Sequence, residues 1–193
     1  MRDALIVSTA RTPLGKSYRG AFNNTTAPTM AGWAIEEAVK RSGVDPAKVD
    51  DVIMGAAVQQ GTSHGNIARN AALAAGLPVN VSGMSIDRQC SSGMMAISTA
   101  ANQIISDGMD IVVGGGLDSI SLVQTQKMNL DRYVDKKLVA KHKHIYMPML
   151  QTAEVVAKRY NISREDQDQY ALGSQIKTAQ AQDNGKFEDE IIS

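Results

Sequence analysis

Residues 84–97 read MSIDRQCSSGMMAI: a short apolar run, a polar turn holding Cys90, the chain's single cysteine, and the start of a helical pattern. The spacing predicts a strand fragment over 84–86 and a helix over 91–106. The same alternation continues on both sides. Upstream, 66–75 is Ala-rich and helical and ends at Gly76-Leu77-Pro78, and 52–58 is a continuous apolar run that predicts a buried strand. Asp45-Pro46 supplies an N-cap and a proline for a first helical position, which predicts a short helical turn before that strand. Met30, Trp33, Ala34 and Ala38 recur at helical spacing over 29–42, and Gly43 supplies the stop. Residues 4–8 predict another buried strand. Downstream, 110–117 predicts a strand that ends in the glycines Gly114, Gly115 and Gly116. Strands hydrophobic on both faces and separated by helices imply an α/β domain, one mixed but mostly parallel sheet between helices, over residues 1–120.

Beyond Leu117 the pattern changes. Over 124–144, Lys127, Arg132, Lys136, Lys137, Lys141 and Lys143 stand against only Asp131 and Asp135, with no strand signal. From Thr152 the reading is helical again, with Ser163 and Asp166 spaced as a capping box and Gly185 closing a helix of about twenty residues. Residues 121–193 therefore form an appended region. The whole chain of 193 residues and 20.6 kDa is long enough to bury about 70% of its extended surface, so it needs no disulfide or metal staple. Twenty basic residues balance twenty acidic ones, which argues against binding to nucleic acid or a membrane surface through a global field. A single cysteine excludes an intramolecular disulfide, the opening MRDALIVSTA has neither signal nor transit character, and no run has the apolar length of a membrane span. A cytoplasmic location is expected.

Cys90 is the residue most able to carry chemistry. It lies at the start of a helix, where unsatisfied N–H groups stabilise a thiolate. The small neighbours Ser91, Ser92 and Gly93 leave room for a carbonyl substrate, and the Cys90 N–H is a candidate oxyanion donor. The alternative is a buried, inert cysteine acting as a small hydrophobe. His142-x-His144 lacks a third ligand nearby, so no metal is assigned. The three glycines after the last strand make neither GxGxxG nor a P-loop, and no nucleotide fingerprint is assigned.

The string RQCSSGMMAI closely resembles the nucleophile motif of thiolases, acyl-CoA C-acyltransferases that cleave or form 3-ketoacyl-CoA. Four more blocks agree in order: VSTARTPLGKSYRGAF, GNIARNAALAAGLP, DIVVGGGLDSIS and TAEVVAKRYNISREDQDQYALGSQ. The resemblance spans essentially the entire chain and implies the layered thiolase fold, with residues 1–120 as its N-terminal α/β domain and 121–193 as part of an inserted helical loop domain that binds coenzyme A. It implies Cys90 as the acyl-accepting nucleophile. It also implies acyl-CoA and CoA as partners, with coenzyme A a substrate and no separate cofactor, and a homodimer or homotetramer when complete. A role in fatty acid metabolism follows from the same resemblance.

Members of that family are about twice as long. Their second half carries a Gly-His-Pro histidine, an asparagine-bearing loop and a second, Cys-x-Gly cysteine, none of which occurs here. The chain is accordingly expected to be truncated at Ser193, to lack the C-terminal domain, and to lack full activity alone. In MPMLQTAE, residues 147–154, Pro148 stands where the family usually has histidine, Met149 matches, and Leu150 replaces glycine. Met149 is a candidate wall of the acyl and pantetheine tunnel; an ordinary core methionine is the other reading. The basic run 136–143 is either a contact for CoA phosphates or a solvated lysine face. Two rival functions stand beside acyl transfer: a non-catalytic association module or relic, and a related decarboxylative condensing enzyme.

Overall fold

The computed structural model describes residues 2–192; Met1 and the expected truncation point Ser193 lie outside the described residues. The elements follow in the order α1 (Ala27–Ser42), β1 (Asp51–Gly55), α2 (Ile67–Ala74), β2 (Ser82–Ile86), α3 (Ser92–Asn102), β3 (Val112–Gly116), α4 (Ile120–Val123), α5 (Lys136–Lys141), α6 (Met149–Tyr160) and α7 (Arg164–Asp183). Short 3-10 turns cover Pro46–Lys48 and Gly61–Ser63, and α3 widens into a π turn over Gln103–Asp107. Contacts divide the chain into two units. The first runs to Asn129 and takes in the chain again from Glu190; the second is Leu130–Asp189.

In the first unit the three strands form one sheet in the order β2-β1-β3, parallel throughout, with Ile53 opposite Met84 on one side and Gly114 on the other. Parallel neighbours require a crossover, and α2 and α3 lie in sequence where those crossovers fall. Central β1 is buried at all five positions, and its side chains alternate between faces. Val52 and Met54 join Ala31, Ile35 and Val39 of α1 and Ala68, Ala71 and Ala72 of α2 in one cluster, while Ile53 packs with Ala96 and Ala100 of α3 in another. The result is a three-layer α/β/α arrangement with helices on both faces.

Local signals account for the ends of the elements. Gly43 closes α1 in the left-handed region at φ 70°, a conformation open to glycine because it has no Cβ. Asp45 caps the Pro46–Lys48 turn by accepting from the Ala47 N–H at 3.0 Å. The apolar run 52–58 forms strand only as far as Gly55. Beyond it the Ala57 and Val58 N–H groups donate to the Asp118 carboxylate at 3.2 and 3.3 Å, so a side chain takes the place of the next ladder bonds.

One expected strand does not form. Residues 4–8 have no regular structure, and Leu5, Ile6 and Val7 are 76%, 78% and 72% exposed. They line a cleft of about 970 Å³ whose other walls come from α1, α3 and β3. An apolar run becomes a strand only when a neighbour supplies the ladder, and among the described residues none pairs with 4–8. For the same reason β2 and β3, at the two edges of the sheet, are only partly buried, unlike β1.

The second unit is helical. Asp135 caps α5 through its carboxylate, which accepts from the Lys137 and Leu138 N–H groups at 2.8 and 3.2 Å. At the start of α7 the capping box is present: the Ser163 hydroxyl accepts from the Asp166 N–H at 3.1 Å, and the Asp166 carboxylate accepts from the Ser163 hydroxyl at 2.7 Å and its N–H at 3.2 Å. Those bonds, the hydroxyl's first, lower the Asp166 carboxyl below its ordinary 3.8. A lowered native value means that this contribution is complete above 3.8 and is lost as pH falls through the native value. Acidification from above 3.8 down through that lowered value should therefore fray the first turn of α7, read by amide hydrogen exchange at residues 164–167. Asp166→Asn should remove part of that acid step. The remainder belongs to Asp168, whose carboxyl is lowered by its hydrogen bond from Arg164. An identical acid response in Asp166→Asn would refute the assignment.

Candidate active site

Cys90 sits between β2 and α3, two residues before the first helical residue, and is exposed. The reading of Cys90 as a buried side chain is thereby corrected: the turn leaves the residue exposed. Gln89 lies in the left-handed region at φ 50°, which a residue bearing a Cβ adopts only when its surroundings hold it there. The holding bonds are local. The Gln89 N–H donates to the Asp87 carboxylate at 2.7 Å, the Ser91 N–H donates to the Arg88 carbonyl at 3.1 Å, and the Ser92 N–H donates to the Gln89 carbonyl at 3.0 Å. The Ser92 hydroxyl adds two more, donating to the Gln89 carbonyl at 2.6 Å and accepting from the Arg88 N–H at 2.8 Å.

Glycines let the first turn of α3 lie directly on the strand ends. A Cβ added to Gly55 would fall 2.2 Å from the Ser92 carbonyl carbon and 2.3 Å from its oxygen; one added to Gly116 would fall 2.9 Å from the Gly93 Cα. No side chain fits between β1 or β3 and the turn that carries Cys90. The block GNIARNAALAAGLP steadies β2 from the other side. The Asn66 amide donates to the Gly83 carbonyl at 2.8 Å, its oxygen accepts from the Ser85 hydroxyl at 2.9 Å, and Arg69 donates to the Val79 carbonyl at 2.9 Å and to the Val81 carbonyl. A Cβ on Gly83 would lie 2.6 Å from the Arg69 N, so the helix and the strand meet backbone to backbone.

The other candidates lie elsewhere. Met149 opens α6 in the second unit and is 71% exposed, so it is not a core methionine. Leu150, in the glycine's place, is also exposed. Lys136, Lys137 and Lys141 are exposed on α5, as are His64, His142 and His144 on their loops. Among the described residues no three His, Cys, Asp or Glu side chains gather as metal ligands, and no helix is long and apolar enough to cross a membrane.

In the sequence Ser92 reads only as a small neighbour of Cys90, and Gly55 and Asp87 carry no assigned role. The spacing Asp87-x-Gln89 is the signal of an Asx turn and was legible in the sequence. The role of Gly55 was not, because Gly55 and Ser92 are 37 residues apart in sequence and meet only in the fold.

Three comparisons bear on this site. The profile of the family described as "Thiolase, N-terminal domain" matches residues 4–193. The 3-ketoacyl-CoA thiolase of Bacillus subtilis is 38% identical over 192 residues, and the acetyl-CoA acetyltransferase of Cupriavidus necator is 40% identical over 202. Each alignment covers 100% of this chain, with 49% and 51% of those relatives. The crystal structure of the Bacillus anthracis acetyl-CoA acetyltransferase superposes with a TM-score of 0.86 at 37% identity, covering 100% of this chain and 50% of that one. The chain thus spans about half the length of the curated relatives it matches.

Proposed function

This chain belongs to the thiolase N-terminal domain family, and on that footing we propose that its chemistry is acyl transfer between 3-ketoacyl-CoA and coenzyme A through an acyl-Cys90 intermediate. The observation that carries the reading is the exposed thiol on a tied, left-handed turn between β2 and α3. In the cleavage direction the Cys90 thiolate attacks the keto carbon of a 3-ketoacyl-CoA. The bond between that carbon and the adjacent methylene breaks, the departing acetyl-CoA enolate takes up a proton, and the acyl group stays on sulfur as a thioester. The thiolate of free CoA then attacks the thioester, releasing acyl-CoA and the Cys90 thiolate. The reverse sequence condenses two acyl-CoAs. The Cys90 N–H supplies one oxyanion donor. No residue of this chain is assigned as general base or as proton donor to the enolate.

Residues 1–120 are the nucleophile-bearing domain in this proposal and 121–193 part of the CoA-binding loop domain. Met149, exposed at the start of α6, contributes to the wall for the acyl and pantetheine groups. Acyl-CoA and CoA are its small-molecule partners, a reducing cytoplasm suits its free thiol, and a homo-oligomer is its assembly.

The test is intact mass spectrometry of the full chain before and after brief exposure to acetoacetyl-CoA, with peptide mapping. An acetyl adduct on Cys90 that is lost in Cys90→Ala supports the proposal. Absence of an adduct, or an equal adduct in Cys90→Ala, overturns it and leaves an association role, for which the exposed run Leu5, Ile6 and Val7 is the favouring observation.

A further inference from the structure

Ser92 is the first residue of α3, yet its hydroxyl does not cap that helix. Buried at 4% exposure, it reaches back over the turn, where it accepts from the Arg88 N–H at 2.8 Å and donates to the Gln89 carbonyl at 2.6 Å. One side chain thus binds a donor and an acceptor on the two residues that immediately precede Cys90. Gln89, the second of the two, is the strained one, at φ 50°. The backbone on the far side of Ser92 cannot retreat, because Gly55 already lies against its carbonyl group with no space for a Cβ. The clamp is therefore anchored to β1 at one end and to the cysteine turn at the other. A hydroxyl in this position has both of its hydrogen-bonding roles used within the turn, so its removal leaves the Arg88 N–H without this partner and the Gln89 carbonyl held by the Ser92 N–H alone, at 3.0 Å.

We propose that Ser92 is a positioning residue for acyl transfer: by holding Arg88 and Gln89 in the left-handed turn it fixes the direction of the Cys90 Sγ and N–H relative to the incoming carbonyl. The inference rests on Cys90 being the acyl acceptor. Orientation matters only to a reaction that needs a defined approach, because small displacements of a nucleophile cost a constrained transfer far more than a collision with a small unconstrained reagent.

The experiment compares the full chain with Ser92→Ala, Gln89→Gly and the double variant, using two probes of Cys90. Iodoacetamide, across a pH series, reports thiolate availability and needs no binding site; acetoacetyl-CoA reports acyl transfer, timed by intact mass. In Ser92→Ala the acyl-transfer rate should fall about tenfold or more, while the alkylation rate at each pH changes by less than about twofold. Gln89→Gly in the Ser92→Ala background should recover much of the lost transfer, because glycine adopts the left-handed turn without a clamp. Equal acyl-transfer rates in wild type and Ser92→Ala overturn the positioning role while leaving Cys90 as the acceptor. A parallel fall in both probes together with loss of the helical circular dichroism signal assigns Ser92 to folding alone and also overturns it. A wild-type chain that takes no acyl group while iodoacetamide still labels Cys90 overturns the acceptor reading, and the positioning role falls with it.

Discussion

Gly55→Ala should destabilise the first unit by about 3 kcal/mol or more, the upper end of what overpacking a close-packed interior costs. The added methyl would sit 2.2 Å from the Ser92 carbonyl carbon and 2.3 Å from its oxygen. Both are backbone atoms in the first turn of α3, so no side-chain rotation relieves the overlap. Either β1 or the start of α3 must move. Ile53 on β1 is locked against Ala96 and Ala100, so the mobile partner is the turn that carries Cys90. If Cys90 accepts an acyl group as proposed, the variant should lose that acylation as well as stability. Gly93→Ala is the internal control: its Cβ would meet nothing closer than the Gly116 Cα at 3.7 Å, and alanine favours a helix by up to about 1 kcal/mol over glycine. Urea unfolding midpoints separate the two. A Gly55→Ala midpoint equal to that of wild type would refute the close approach.

Ile53→Ala should cost about 2–5 kcal/mol, the range for truncating a fully buried isoleucine. Ile53 is 0% exposed in the middle of the central strand, where it fills the space between the sheet and α3. Ala96 and Ala100 are too small to close the resulting cavity, and Met84, Ile86 and Val112 approach it only from the neighbouring strands. Because the loss falls on the β1–α3 contact, the unfolding transition should shift to lower denaturant. Val79→Ala, at a side chain 81% exposed, should change stability by less than about 0.5 kcal/mol. Equal midpoints for the two variants would contradict the assignment of Ile53 to the core.

Much of the fold was legible because it is written in short-range chemistry. Gly43 and Gly76 mark the ends of α1 and α2, Asp45 and Ser163 mark helix starts, and the apolar run from Val52 marks the central strand. The failure at 4–8 has a different origin. The run Leu5-Ile6-Val7 has the composition of a buried strand, but pairing is a property of two segments, and β3 presents it with a cleft instead of a ladder. Composition reports that a segment suits burial; it does not report whether a partner is beside it.

The candidate site divides along the same line. The sequence by itself singled out Cys90 as the candidate nucleophile, with its family setting RQCSSG and its position between a strand and a helix. Those depend on residue types within a few positions of Cys90. Only the tertiary structure decided that Cys90 is exposed, that Gln89 is held left-handed, and that the Ser92 hydroxyl turns back to clamp the two preceding residues. It alone decided that Gly55 must lack a side chain. The physical reason is range. Helix caps and turns are fixed by hydrogen bonds between near neighbours, whereas the space beside a backbone and the exposure of a thiol depend on segments that are distant in sequence and close only after the layers have packed.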